Sequence, residues 1–350
     1  MKPIFSKPSL AELLKEYRYL RADLGEEGKA CRFKFSNNGE GISEQKQKDI
    51  SAYIKEIYQG VYDESDEDVL IDLVLLLTIY SNHLDQQTSD QKNPKLPLTM
   101  KEKKVLKWLE AAAIVAQKII PIDKLLNEEA LPQLAEETPA ALSAIAMMLH
   151  YLGKARRYDK NISIEQRLPL LTTALNISNL KFFANDTHFF TSRTSTYEMP
   201  VIYCLRDMGR QDEAATIVNE QLKVSIATNN YFHVIQGNVQ MSEIYREKHE
   251  KTGTGIEDSI KYAKDAINCV LSSAKIEGEQ DFTHHILHFN AKTALMKAYS
   301  TNDQHDEAKE IAESIISEND LDSNCGAKKH HLDAAQNVLD TGVGLVTQPF

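Results

Sequence analysis

The 350-residue chain is poor in the features that mark disulfide scaffolds, nucleic-acid surfaces and membrane spans. Its four cysteines lie far apart and include no Cys-x-x-Cys pair, which indicates reduced thiols in a reducing compartment. With 40 Lys and Arg against 51 Asp and Glu, the formal net charge is -11, and this argues against a general nucleic-acid surface. The longest apolar run, residues 69–80, is interrupted by Asp72 and is shorter than the ~20 residues that cross a bilayer. Residues 1–14 have no continuous apolar core, so we expect a cytoplasmic protein, or one secreted into a host cytosol without a cleavable signal peptide.

Sequence motifs for nucleotide binding and for common catalytic centres are also missing. The chain has no Gly-x-x-x-x-Gly-Lys-Ser/Thr loop, no Gly-x-Gly-x-x-Gly, no Gly-x-Ser-x-Gly and no protein-kinase signature. Gly253 and Gly255 stand between predicted helices without a preceding strand, which argues against a phosphate-binding loop. We therefore predict no cofactor.

What the chain does have is a helix pair that recurs. In residues 282–316, apolar side chains follow the three-or-four-residue period of a buried helical face on both sides of a polar turn at residues 301–304. The first stripe consists of Leu287, Ala291, Ala294, Leu295 and Ala298, and the second of Ala308, Ile311, Ala312, Ile315 and Ile316. The same frame fits three upstream segments, with anchoring positions at 167, 214, 259 and 308. Gly209 lies in one predicted turn, and longer turns are predicted at residues 158–165 and 247–257.

Helix pairs repeated every 45 to 49 residues are typical of an α-solenoid. An aromatic residue or Leu ends the first helix, Gly209 occupies a turn, and Ala stands near the start of the second helix. In these features, residues 139–321 resemble a tetratricopeptide-like repeat, although the Trp and terminal Pro of that repeat are absent from every copy. The units are longer than the ~34 residues of that repeat, and they resemble the extended repeats of bacterial peptide-sensing and signal-transducing regulators.

The predicted fold class is all-α. We expect an N-terminal helical domain over residues 1–138, an α-solenoid of about four antiparallel helix pairs over residues 139–322, and a capping helix with a tail over residues 323–350. In the N-terminal domain, the periodicity and the capping residues predict helices at residues 9–24, 43–58, 67–84 and 99–120.

Candidate partner-binding residues follow from the resemblance, because the first helices of such repeats line the concave groove. Arg206, Arg246 and Lys297 stand near the predicted ends of first helices, and Arg193 adds to a locally basic region. Guanidinium groups bind carboxylate or phosphate in a fork geometry, and Tyr203 offers an aromatic anchor for a peptide. Solvated charge and pairing between helices is the alternative interpretation of the cations.

A histidine cluster is the candidate metal site. His284 and His288 are one helical turn apart and share a face, as two metal ligands must. The Glu of a His-Glu-x-x-His metalloprotease motif is replaced by His285, and no third ligand is marked by spacing. The alternative is that these histidines are partly buried at the edge of the apolar stripe. His330 and His331 form a second histidine pair in the capping helix.

The leading hypothesis is an interaction scaffold that binds a protein or peptide partner in the concave groove, because solenoids present extended concave surfaces. The alternative is an enzyme, such as a bacterial effector that modifies a host protein, with its chemistry in the N-terminal domain or near His284 and His288. A third hypothesis is a cytosolic regulator that senses a small peptide. No helix-turn-helix pattern is visible, so we expect no direct binding to DNA.

Overall fold

The computed structural model describes residues 44–61, 64–86, 100–156, 162–180, 197–277, 282–321 and 328–342. In these ranges the chain forms fourteen α-helices and no β-strand, which confirms the all-α prediction. The first seven helices are α1 (Glu44–Tyr58), α2 (Glu67–Gln86), α3 (Met100–Ile119), α4 (Ile122–Leu126), α5 (Leu131–Glu137), α6 (Pro139–Ala155) and α7 (Ile164–Ser178). The other seven are α8 (Met199–Asp207), α9 (Gln211–Ala227), α10 (Tyr231–Thr252), α11 (Ile256–Glu277), α12 (Phe282–Thr301), α13 (His305–Leu321) and α14 (Lys329–Thr341).

The chain divides into two compact units, Met1–Pro200 and Val201–Phe350. The sequence groups α6 and α7 with the repeats of residues 139–322. In the structure, α6 packs on α2, α3 and α7, all of which belong to the first unit. The apolar surface of α6 is thus covered by α2 and α3, which precede the predicted repeats, as well as by α7. The repeat frame and the boundaries at residues 138 and 322 stay predictions.

In the first unit, α2 is the central helix. It packs on α3 and α6, and these two helices also pack on each other. Its side chains from Leu70 to Ser81 are all buried, with Leu73, Val74 and Leu77 almost inaccessible to solvent. Two hydroxyls of this core are satisfied within α2, because Thr78 and Ser81 each donate to a backbone carbonyl four residues earlier, at 2.7 Å. The predicted apolar helix at residues 67–84 is confirmed.

In the second unit, each helix from α9 to α14 packs on the next one in the chain. In addition, α10 packs on α12 and α12 packs on α14. One apolar cluster joins α12, α13 and α14, and a second joins α10, α11 and α12. Both clusters contain alanines from the predicted stripes, such as Ala291 and Ala312, and their small side chains allow neighbouring helices to approach closely.

The predicted long turn at residues 247–257 is wrong. Helix α10 continues to Thr252, and it ends at Gly253 in the left-handed conformation, with φ 72°. Its last turns are stabilised by two ion pairs, one with a neighbouring helix and one within α10. Lys248 Nζ lies 2.6 Å from Asp212 Oδ1 on α9, and Arg246 pairs with Glu250 one turn later. Within the described ranges, no helix combines the length and apolarity needed to cross a membrane.

Candidate ligand-binding groove

A cavity of about 530 Å³ lies in the second unit, and its lining comes from alternate helices. Tyr203 and Arg206 line it from α8, and residues of α10 and α12 form its longest walls. His330 and His331 of α14 and the preceding Lys328 bound the opposite end. The connecting helices α9, α11 and α13 contribute no lining residue within the described ranges. We name this cavity the groove.

At the α8 end of the groove, Arg206 is held in a fixed orientation by α10. Its Nε lies 3.1 Å from Glu247 Oε2 and its Nη2 lies 2.5 Å from Glu247 Oε1, the bidentate geometry of a strong charged pair. Nη1 donates to Gln240 Oε1 at 3.0 Å. The guanidinium carbon also lies 5.7 Å from the centre of the Tyr203 ring, a cation–π distance. Arg206 is therefore already paired by the protein and cannot be counted as an open cationic site.

Glu243 is the carboxylate on which the cations of the groove converge. Its carboxylate oxygens lie 2.8 Å from Arg246 Nη2, 3.5 Å from Lys297 Nζ and 3.7 Å from Arg206 Nη2. Burial by itself would raise the pKa of Glu243. The charges of Arg246, Lys297 and Arg206, together with the hydrogen bond from Arg246, outweigh burial and hold this pKa well below its usual value. Glu243 is therefore ionised throughout the neutral range.

Arg246 is buried under the groove rather than exposed in it. The residue is only 3% exposed, and among the described residues it does not line the cavity. It pairs with Glu243 and Glu250, and its Nη2 lies 3.9 Å from Glu247 Oε1. Burial by itself would lower the pKa of Arg246. The neighbouring carboxylates outweigh burial and raise this pKa above its usual value, so Arg246 stays charged. Its position indicates that it organises the acidic side chains of α10.

At the α14 end, His331 is a buried histidine with both ring nitrogens bonded. The backbone N–H of Lys328 donates to Nδ1 at 3.0 Å, and Nε2 lies 2.8 Å from Asn290 Oδ1. Burial, with the charges of His330, Lys328 and Lys297, lowers the pKa of His331 to about 3. The ring also stacks on Phe289, with centroids 6.0 Å apart. His331 is therefore neutral near pH 7 and ties α14 to α12.

Two further groups in the lining have polar atoms without a partner. Thr293 is 5% exposed, and its Oγ1 makes no hydrogen bond. Gln236 Oε1 is likewise buried and makes no hydrogen bond of normal geometry, although the His233 ring lies close to this side chain. Buried polar atoms in proteins are nearly always paired, and an unpaired one costs free energy. These atoms indicate positions where a ligand would complete the hydrogen bonding.

The predicted partner-binding residues have different positions in the structure. Arg206, Tyr203 and Lys297 line the groove, whereas Arg246 lies beneath it and Arg193 lies outside the described residues. Whether any of them contacts a partner stays a prediction.

The side chain of His284 also lies outside the described part of the chain. His288 Nε2 is 3.7 Å from Glu318 Oε2, and the same carboxylate pairs with Lys292. No group of three or more His, Cys, Asp or Glu side chains within the described ranges could hold a metal ion. The metal-binding role of His284 and His288 stays a prediction.

Several groove residues were missed by sequence reasoning. A signal for the acidic ones was present, because Arg246, Glu247 and Glu250 follow Glu243 by three, four and seven residues, the spacings that place side chains near Glu243 on its helix face. Asn290 and Thr293 carry no such signal, since single polar residues on a helix are common. Their role depends on α14, whose contact with α12 no local pattern reveals.

Comparison with models of known protein families and with curated proteins finds no match for this chain.

Proposed function

We propose that the protein is an interaction module that binds an extended peptide segment of a partner protein in the groove. In this proposal α8 to α14 form the end of a helical-repeat solenoid, with α8, α10, α12 and α14 on its concave side. The observation that carries the proposal is the lining of one cavity by alternate helices. A segment lying across them meets a new helix face at each step, which is how repeat arrays recognise extended chains.

The ionisation states of the groove residues support binding over proton transfer. A general acid or base needs a pKa near the working pH. Ion pairs hold the pKa of Glu243 far below neutrality, and burial lowers the pKa of His331 to about 3. Side chains with fixed charge and fixed hydrogen bonds form a preorganised surface, and preorganisation reduces the entropy that binding costs.

The proposal is tested by affinity selection of a random peptide pool on the full-length protein, read by mass spectrometry. The wild type should retain peptides that share a sequence pattern. Gln236→Trp places a large ring in the groove and should abolish retention. Gln236 suits this purpose because it lines the groove, is only half-buried, and does not belong to the ion-pair network around Glu243.

The matched control is Ile226→Trp, which adds the same ring at an exposed position on α9, a helix that does not line the groove. This variant should retain the wild-type peptides. If both variants retain them, the peptides bind elsewhere and the proposal fails. Arg206 and Arg246 are unsuitable for this test, because truncating either one also leaves paired carboxylates uncompensated.

A further inference from the structure

The hydrogen bonds of His331 determine which end of the Asn290 amide remains available. Nδ1 of His331 accepts the backbone N–H of Lys328, so Nδ1 carries no proton. The proton of the neutral ring therefore lies on Nε2, which donates to Asn290 Oδ1. This is the one bond of the Asn290 side chain in the described part of the structure. The amino group Nδ2, with two N–H donors, is left for a ligand in the groove that Asn290 lines.

Thr293 places a second donor beside Asn290. The two residues are three positions apart on α12 and therefore share a helix face. Both line the groove, and the Thr293 hydroxyl is buried without a partner. An acceptor atom in the groove would remove the cost of this unpaired hydroxyl.

The charges around this end favour an anion. Lys297 follows Thr293 by one turn on the same face and is 5% exposed, and Lys328 lies at the start of α14. Burial is the main cause that lowers the pKa of His330 and of His331, and both lysines are close enough to lower these pKa values further. The groove as a whole is lined by four Lys or Arg side chains and four Asp or Glu side chains, and its α14 end holds two of these cations, Lys297 and Lys328. Lys297 already lies 3.5 Å from Glu243, so a singly charged ligand group matches better than a dianion.

We infer that the α14 end of the groove binds a carboxylate group of the ligand. Asn290 Nδ2 and Thr293 Oγ1 donate to its two oxygens, and Lys297 and Lys328 balance its charge. His331 is a positioning residue, since it holds the amide of Asn290 with its donor end toward the groove. The inference rests on the proposed function for the identity of the ligand, a peptide that supplies the carboxylate from its C-terminus or from an Asp or Glu side chain.

Three synthetic random peptide pools separate the sources of the carboxylate when they are selected on the full-length protein. One pool has free C-termini and lacks Asp and Glu, one is amidated and contains Asp and Glu, and one is amidated and lacks both. We expect retention from the first pool if the C-terminus binds and from the second if a side chain binds. Equal retention from the third pool overturns the inference.

Asn290→Asp is the decisive variant, because it keeps an oxygen for His331 and replaces the donating amino group by a second carboxylate oxygen. The affinity for a selected peptide should fall at least ~10-fold, as expected when a charged hydrogen bond becomes a repulsion. The control Asn268→Asp makes the same charge change at an exposed position on α11 and should bind within about twofold of wild type. Thr293→Val, which replaces the hydroxyl by a methyl group of similar size, should weaken binding several-fold and serves if Asn290→Asp does not fold.

A small carboxylate separates this inference from the peptide proposal. N-acetylglycine, a monocarboxylate, should at constant ionic strength raise the melting temperature of the wild type but not of Asn290→Asp. If N-acetylglycine acts in this way while no peptide is retained, the carboxylate site stands and the peptide proposal fails. If peptides bind equally well to Asn290→Asp and Asn268→Asp, the peptide proposal stands and the carboxylate site is overturned. If no peptide is retained and N-acetylglycine has no effect, both are overturned.

Discussion

At the scale of single residues, the groove is organised around Glu243, whose carboxylate is stabilised by three neighbouring cations. Glu243 is largely buried and is ionised because Arg246, Lys297 and Arg206 surround it. A buried charge is tolerated only while its partners remain, since desolvation costs several kcal/mol for each unpaired ion. The same network that would present polar groups to a ligand therefore also contributes to the stability of the second unit.

Replacing Arg246 by Ala should destabilise the second unit by about 3 kcal/mol, because Glu243 loses its closest partner and Glu250 loses its own. The measurement is the urea dependence of the helical circular dichroism signal. The control is Arg210→Ala, which breaks an ion pair with Glu213 between two exposed side chains and should change the midpoint very little. Equal midpoints for the two variants would show that the buried network contributes nothing to stability.

His331 should make the stability of the second unit depend on pH. Its pKa is lowered from 6.5 to about 3 on folding, so the unfolded chain binds the proton first as the pH falls. Stability is then complete above about pH 6.5 and is lost progressively toward about pH 3. Protonation of Nδ1 would also break the bond from the Lys328 backbone N–H.

The check is the melting temperature of wild type and His331→Gln between about pH 7 and about pH 4. The wild type should lose more stability over this range than the variant, which has no ionisable ring. His150 is fully buried in the first unit and its pKa is also lowered, first by burial and then by Lys154. Its contribution is common to both proteins and cancels in the difference. Parallel pH profiles would contradict the role given to His331.

At the scale of the helices, neighbouring elements approach closely where a glycine faces a leucine. A Cβ added at Gly237 of α10 would lie 2.7 Å from Leu222 Cδ2 on α9. Gly153 of α6 has the same relation to Leu171 of α7, also at 2.7 Å. A helical glycine ordinarily costs about 1 kcal/mol relative to alanine, so these two positions favour close packing over helix propensity.

Gly237→Ala should therefore destabilise the protein, although it improves helix propensity. Overpacking costs about 1–3 kcal/mol, which exceeds the propensity gain of about 1 kcal/mol. In a Leu222→Ala background the space is open, and the same substitution should be neutral or stabilising. A double-mutant cycle by urea denaturation measures the coupling. Additive effects of the two substitutions would show that the contact does not restrict residue 237.

At the scale of the whole molecule, the two units each have their own buried core. The only tryptophan of the chain, Trp108, is 1% exposed on α3 in the first unit, so its fluorescence reports on that unit. Circular dichroism reports on the helices of both units. The two signals therefore distinguish separate unfolding of the units from a single cooperative transition.

We expect Arg246→Ala to shift the dichroism transition and leave the fluorescence transition of Trp108 in place. Leu77→Ala, in the core of α2, should lower the fluorescence midpoint through a loss of about 2–5 kcal/mol. This pattern follows if compact units with separate cores unfold separately. If Arg246→Ala shifts both transitions equally, the chain unfolds as one cooperative unit.

The helices and their buried faces were predictable because the information is local. Apolar residues three and four positions apart recur along α12 and α13, and Ala291, Leu295 and Ala312 are buried as the period predicts. The stop at Pro121 likewise follows from the missing N–H of proline, and α3 ends at Ile119.

The groove was decided by the tertiary structure alone. Arg206 pairs with Glu247, and His331 with Asn290, across 41 positions of the chain in each case. Such pairings depend on which helices become neighbours. The sequence does not reveal whether a charged residue on a helix surface is solvated or buried in an ion pair. The length of α10 was misjudged in part for the same reason, because Lys248 stabilises its last turns by pairing with Asp212 of α9, which only folding brings within reach. Periodicity along the chain thus determined the helices, whereas long-range packing determined which of their polar residues meet in one cavity.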